Sequence, residues 1–145
     1  MTNSISSTLA GLAVATALVA TPAVAETMSF KADLKGSEEV PPTTSSGTGN
    51  LTATYDSTGK KLSWKGTVSG LTGSPTAAHF HGPAEPGKNA SPLVPAPGVK
   101  MGAFEGSATL TDEQAKALTA GQTYFNVHTA ANPGGEVRGQ LMKAP

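Results

Sequence analysis

Residues 123–129 of the chain read TYFNVHT, and the alternation within this stretch decides the fold class. Because successive side chains of a β-strand point to opposite faces, Phe125 and Val127 share one apolar face. The opposite face carries three polar or aromatic side chains: Tyr124, Asn126 and His128. One apolar and one polar face per strand is typical of antiparallel sheets that cover a core on one side. We therefore expect an all-β protein.

Six other segments have the same character, since each is a short run rich in apolar or β-branched residues between turn-forming residues. They are residues 28–35, 49–55, 62–69, 76–81, 106–109 and 136–142. Turn sequences at 56–59 and 130–135 predict that the strands on either side of each are antiparallel neighbours. The pattern as a whole predicts a Greek-key or immunoglobulin-like antiparallel β-sandwich.

Two segments depart from the strand pattern. Residues 111–118 are helix formers with Thr111 as N-cap and Gln114 at the capping-box position, which predicts one short helix at an end of the sandwich. Residues 82–98 contain five prolines, which exclude a central strand. We expect a long surface loop there, directly after His81.

The N-terminus has the features of an export signal. Residues 9–24 form an uncharged apolar run that leads into a small-x-small cleavage site, Ala23-Val24-Ala25. A membrane anchor is the alternative, but Pro22 shortens the run below the roughly 20 residues that a spanning helix needs. We expect residues 1–25 to be a cleaved signal peptide and residues 26–145 to be one domain, periplasmic or secreted, with no membrane attachment after cleavage.

Composition excludes several classes of function. Ten Lys and Arg against ten Asp and Glu give a formal net charge of zero, so no global field favours nucleic acid. The absence of cysteine excludes disulfides, thiolate nucleophiles and Cys-ligated metals. Glu38 and Glu39 are adjacent, so on a strand they would point to opposite sides and would make a poor acid/base pair.

The three histidines of the chain all lie in predicted strands. His79 and His81 share one strand face, while Phe80 between them faces the core. His128 lies on the outer face of its own strand. If the two strands are neighbours, three imidazoles converge on one face beneath the 82–98 loop.

Three neutral imidazoles can hold one transition-metal ion with nitrogen–metal distances of about 2 Å. An all-imidazole site suits copper well, and three-histidine zinc remains open. We therefore expect one copper ion per chain, bound by His79, His81 and His128. The alternative is that these strands carry surface histidines without binding a metal.

The strand within 136–142 adds a second set of polar groups. Val137 and Leu141 face the core, so Glu136 and Arg138 share the face that carries Asn126. Arg138, the only arginine of the chain, is the candidate catalytic residue that would dock an anion beside the metal. Asn126 and Glu136 are the candidate acceptors for an imidazole N–H, although Glu136 could equally form a cross-strand ion pair.

Four motifs together resemble the CHRD (chordin-type) domain family across about residues 30–141. They are EVPP at 39–42, AHFHGP at 78–83, YFNVHT at 124–129 and PGGEVRGQL at 133–141. The resemblance implies an extracellular β-sandwich domain, found alone in bacterial secreted proteins and repeated in the chordins of animals, which antagonise growth factors.

A more local likeness concerns the chemistry. A His-x-His strand, a later strand histidine and an arginine on the next strand look like the copper half of the Cu,Zn superoxide dismutase site. This likeness implies copper on His79, His81 and His128, with Arg138 guiding the anion. The chain departs from that family in lacking a bridging histidine, a zinc cluster and a disulfide, so only a copper-only centre is implied.

Three functions follow as hypotheses. The first is a secreted copper protein that dismutates superoxide, its small anionic substrate. The second is a non-catalytic periplasmic protein that binds or delivers copper or zinc through the same histidines. The third is an extracellular adhesion or interaction module, and the sandwich could in addition form a homodimer.

Overall fold

The computed structural model describes residues 17–22 and 24–145, and this part of the chain is built from nine strands, one α-helix and one short 3-10 helix. The helices are the 3-10 turn Gly36–Glu38 and α1, Asp112–Thr119. The strands are β1 Thr27–Lys35, β2 Thr48–Asp56, β3 Lys61–Ser69, β4 Pro75–His81, β5 Pro92–Pro95, β6 Gly102–Thr109, β7 Tyr124–Thr129, β8 Val137–Gln140 and β9 Met142–Ala144. The all-β fold with one short α-helix is confirmed.

The strands pair in the order β5-β4-β7-β8-β1-β2-β3-β6, and β9 pairs with β1 beside this path. The pairings are antiparallel, and both predicted hairpins, β2–β3 and β7–β8, are present. Strands distant in this order nevertheless meet through their side chains. The ring centroids of Trp64 on β3 and Phe80 on β4 are 5.0 Å apart, and those of Phe104 on β6 and Phe125 on β7 are 5.9 Å apart. The sheet therefore folds over on itself and encloses the core as a sandwich does.

The alternation of apolar side chains explains the core. On β4 and β7 the inward residues are Ala78, Phe80, Phe125 and Val127, and each is at most 3% exposed. Across the sandwich their partners are the inward residues of β1, β2 and β3, which include Leu34, Leu51 and Trp64. Burial of such side chains is the main force that holds the two halves together.

The helix forms as its capping sequence predicts. The Thr111 hydroxyl accepts a hydrogen bond from the Gln114 backbone N–H at 3.2 Å, and the Gln114 side chain accepts one from the Thr111 N–H at 2.9 Å. This reciprocal pair satisfies two N–H groups that a helix end leaves without partners. Leu118 is 1% exposed and joins the core, so the helix closes one end of the sandwich.

Two expectations about strands need correction. The 82–98 segment is not loop throughout, because β5 lies within it and pairs with β4. Proline is tolerated there because β5 lies at the edge of the sheet, where a missing N–H breaks no ladder on the outer side. The predicted strand 136–142 divides at Leu141, which is fully buried, into β8 and β9.

The N-terminal segment contributes little to the described structure. Most of the predicted signal peptide, residues 1–16 and 23, lies outside the described residues, so its cleavage stays a prediction. Leu18 and Val19 are 97% and 86% exposed, whereas Glu26 hydrogen-bonds Ser57 through both its N–H and its carbonyl. Among the helices described, none has the length and apolar character that a membrane crossing requires.

Candidate metal centre

The three histidines meet because β4 and β7 are neighbours in the sheet. In the register of this pair, His79 lies opposite Asn126 and His81 lies opposite Tyr124, while His128 lies opposite Ala77. His79, His81 and His128 therefore share the face of the sheet that points away from the core. The predicted convergence of the three side chains is present.

The ring nitrogens of this cluster lie within a small side-chain adjustment of the spacing that one ion requires. One nitrogen from each of His79, His81 and His128 lies within 4.8 Å of the other two, and His79 Nδ1 is 3.2 Å from His128 Nε2. Ligand nitrogens at about 2.0–2.1 Å from a metal are at most about 4 Å apart. Side-chain adjustments of less than about 1 Å would thus bring all three onto one ion, so the donor set fits a copper or zinc ion.

Two backbone carbonyls orient the rings. The Nδ1–H of His81 donates to the Ala90 carbonyl at 2.9 Å, and the Nδ1–H of His128 donates to the Pro133 carbonyl at 2.9 Å. A carbonyl accepts only, so each bond fixes the tautomer that leaves the Nε2 lone pair free. His128 Nε2 accepts a hydrogen bond from His79 Nδ1–H, and a metal ion bound to both nitrogens would take the place of that proton.

The surroundings of the rings favour their neutral form. Burial lowers the pKa of His79, and the neighbouring His128 lowers it further. Burial also lowers the pKa of His81, against the opposing effect of its hydrogen bond to Ala90. Neutral imidazole is the form that binds metals, so both shifts reduce the competition of protons for the ligand nitrogens.

Arg138 lies on the predicted face but is covered. It pairs with Asn126 across β7 and β8 and is 2% exposed. Its Nη1 donates to Asn89 Oδ1 at 3.0 Å and its Nη2 donates to the Lys88 carbonyl at 2.6 Å. The guanidinium is thus held beneath the loop after β4 rather than presented to solvent beside the histidines.

Tyr124 connects Arg138 to the histidines, and the sequence analysis did not assign it a place in the site. The Arg138 guanidinium carbon lies 3.4 Å from the centroid of its ring, and the His81 ring stacks on it with 4.8 Å between centroids. Its hydroxyl donates to the Ala90 carbonyl and accepts from the Ala90 N–H, each at 3.2 Å. The sequence contained the information needed to place it, because Tyr124 and His128 are four residues apart on one strand and therefore share a face.

Glu136 does not act as an acceptor for an imidazole, which corrects one prediction. It lies at a bend before β8, is fully buried, and accepts hydrogen bonds from the Thr129 hydroxyl, the Ser45 hydroxyl at 2.6 Å, and the Thr72 N–H and hydroxyl at 2.8 and 2.7 Å. Although burial opposes ionisation, these hydrogen bonds lower the pKa of Glu136 to about 2. Its carboxylate thereby links the loops that contain Ser45 and Thr72 to Thr129 at the end of β7.

Glu39 is a second residue that sequence reasoning missed, although its motif was singled out. It follows the 3-10 turn Gly36–Glu38 rather than lying on a strand, so it is 5% exposed while Glu38 is exposed. Burial raises its pKa to about 7, against the lowering effects of the Arg138 charge and of the Asn126 amide. A buried carboxyl group therefore lies beside both Arg138 and Asn126.

The comparisons with known proteins give one match. Comparison with curated proteins and with solved structures found no significant relative. The family model for the CHRD domain matches residues 30–141, which include most of β1, all of β2 to β8, the three histidines and Arg138. Domains of this family occur in secreted proteins. The chain therefore belongs to the CHRD domain family.

Proposed function

We propose that the chain is an exported copper protein that dismutates superoxide, with one copper ion bound by His79, His81 and His128. The observation that carries the proposal is the cluster of three ring nitrogens within 4.8 Å on one sheet face. His79 and His128 are only half-buried, so a diatomic anion could reach an ion held there. Export is supported by the apolar run at 9–24 and by the family, and the periplasm is the compartment we propose.

Copper is favoured over other metals by the donor set and by the reaction. Three neutral imidazoles with no thiolate or clustered carboxylate suit copper, although zinc would also bind. Bound copper supplies one-electron chemistry, so that two superoxide anions and two protons become one dioxygen and one hydrogen peroxide.

The protein's own residues contribute orientation and charge. The carbonyls of Ala90 and Pro133 hold the His81 and His128 rings in the ligand tautomer. The loop groups that bind Arg138 are neutral amides, and the pKa of the neighbouring Glu39 is raised to about 7, so the positive charge of Arg138 is only partly offset on this face. That charge attracts an anion through space, and the attraction weakens as the salt concentration rises.

The test is superoxide consumption by protein loaded with one equivalent of copper, measured by pulse radiolysis. We expect turnover with copper and none with the same protein loaded with zinc, which occupies similar ligands but has no redox chemistry. His128→Ala should lose both stoichiometric copper and activity. Full activity of copper-loaded His128→Ala would contradict the proposal.

A second candidate function is supported by the burial of Arg138. Because its two Nη atoms are already bound to loop groups, this side chain is not free to contact an anion directly. A non-catalytic protein that stores or delivers copper or zinc would need the histidines and not a docking cation. Tight copper binding without superoxide turnover would select this function.

A further inference from the structure

Asn126 lies at the centre of the three-histidine face. It is the cross-strand partner of His79, and it lies on the same side of β7 as His128, two residues away. His81 lies opposite Tyr124, two residues before Asn126 on the same face of β7, so Asn126 is also its diagonal cross-strand neighbour. Asn126 therefore lies between the three histidines in the register of β4 and β7.

The orientation of the Asn126 amide is set by Glu39. A Cβ placed on Gly135 would lie 2.3 Å from Glu39 Oε1 and 2.6 Å from Asn126 Nδ2, so both atoms point into the same small space. A carboxylate accepts hydrogen bonds, so the NH₂ group of Asn126 faces it and the amide oxygen faces elsewhere. The approach of Nδ2 stabilises the ionised form of Glu39, although Oε1 has no hydrogen bond of good geometry.

Two buried atoms of this cluster have no hydrogen-bond partner among the described residues: Asn126 Oδ1 and His81 Nε2. Asn126 is 2% exposed and His81 7% exposed, so solvent does not satisfy them. Buried polar atoms without partners are rare, and a bound ion is one of their ordinary explanations. A single cation between the two atoms would satisfy both.

We propose that the amide oxygen of Asn126 is a fourth protein ligand of the metal, presented to it by Glu39. The inference deepens the proposed function and rests on metal binding by the three histidines. Glu39 is a positioning residue, because it orients the Asn126 amide and does not bind the metal itself. Three nitrogens and one oxygen would then hold the ion, with the solvent side left for substrate.

An oxygen donor discriminates between the oxidation states of copper. Amide oxygen is a harder ligand than imidazole and favours Cu(II), whereas Cu(I) is satisfied by three imidazoles. The Asn126 oxygen would therefore lower the reduction potential of the site. Its removal should weaken Cu(II) binding more than Cu(I) binding.

The first experiment compares Asn126→Leu, which keeps the size but removes the oxygen, with Asn126→Asp, which keeps an oxygen. Competition titrations measure the dissociation constants of Cu(II) and Cu(I) for each. We expect Asn126→Leu to bind Cu(II) about tenfold or more weakly, as ligand-sphere losses commonly do. Its Cu(I) affinity should change less than about threefold, and each tenfold difference between the two states raises the potential by about 59 mV. Asn126→Asp should keep the preference for Cu(II).

A second pair of variants tests the positioning role of Glu39. Glu39→Ala should shift the ratio of Cu(II) to Cu(I) affinity in the same direction as Asn126→Leu, but less. Glu38→Ala is the matched control, since Glu38 is the adjacent exposed carboxylate, and it should leave the ratio unchanged.

A direct measurement needs no variant. In the zinc-loaded protein, the side-chain carbonyl carbon of Asn126 should shift in the NMR spectrum, while that of exposed Asn50 should not. An unshifted Asn126 carbon, or equal losses of Cu(II) and Cu(I) affinity in Asn126→Leu, would overturn the fourth ligand and leave the three-histidine site intact. Failure of the wild-type protein to bind copper would overturn both.

Discussion

The two halves of the sandwich have outer faces formed by the same alternation of inward and outward side chains. One of these outer faces is exposed to solvent and the other is covered. On β1, β2 and β3 the outward side chains of Lys31, Thr52 and Lys65 lie side by side in one exposed row. On β7 and β8 three of the outward side chains are only 2 to 3% exposed: Tyr124, Asn126 and Arg138. The difference is the loop after β4, which covers the second face together with His81 and leaves His79 and His128 at its margin. Polar groups that are buried by a loop must find partners, and this need organises the candidate site.

The largest expected effect is on copper affinity, which should depend on side chains of the covered face and not on those of the exposed face. His81→Ala removes a buried nitrogen of the proposed ligand set and should weaken copper binding by more than about a hundredfold, because a two-histidine site lacks the third donor. Thr52→Ala on the exposed face should bind copper as the wild type does. Isothermal titration with Cu(II) measures both, and equal affinities would remove the functional distinction between the faces.

The second effect concerns folding stability at the start of β8. Glu136→Gln replaces a fully buried carboxylate that accepts four hydrogen bonds, and should cost about 3 kcal/mol in the free energy of unfolding at pH 7. Glu105→Gln, at an exposed position of β6, should change it by less than about 0.5 kcal/mol. Urea denaturation measures the difference.

The same carboxylate gives a pH dependence of defined sign. The pKa of Glu136 is about 2 in the folded chain, against an ordinary value of 4.5. Its contribution to stability is therefore present above pH 4.5 and is lost as the pH falls towards 2. The gap between wild type and Glu136→Gln should close over that interval, and a gap that stays constant would show that the hydrogen bonds do not act through the charge.

Strand periodicity accounts for what the sequence could predict. His79, His81, His128 and Arg138 were assigned to one face because each lies within a strand, where a period of two holds. Glu136 was misassigned for the same reason, because it precedes β8 at a bend where that period does not apply.

Loop conformation accounts for what the sequence could not predict. The cover over Arg138 comes from Lys88 and Asn89, in a segment rich in Gly and Pro that has no periodicity from which to derive its path. The burial of Glu39 depends on the 3-10 turn before it. If the strand continued, Glu38 would point towards the core and Glu39 towards solvent, and the turn exchanges these two directions.

The pH dependence of stability that arises from Glu39 has the opposite sign to that which arises from Glu136. The pKa of Glu39 is about 7, above its ordinary 4.5, so the folded chain binds the proton more tightly than the unfolded chain does. The favourable contribution is complete below pH 4.5 and is lost as the pH rises towards 7. Glu39→Gln should therefore gain about 3 kcal/mol relative to wild type between pH 4.5 and 8. Glu38→Gln, at an exposed position, is the control and should show no such trend in urea denaturation across pH.

The smallest effect tests whether the loop is pinned by one side chain. Asn89 accepts from Arg138 Nη1 at 3.0 Å and donates to the Val40 carbonyl at 2.8 Å, whereas Lys88 contributes its backbone carbonyl to Arg138. Asn89→Ala should cost about 1 kcal/mol and speed hydrogen exchange at the Ala90 amide, while Lys88→Ala should do neither. Because Ala90 also holds the His81 ring, the faster exchange should be accompanied by weaker copper binding in Asn89→Ala. Faster exchange with unchanged copper affinity would show that the cover over Arg138 and the orientation of His81 are independent.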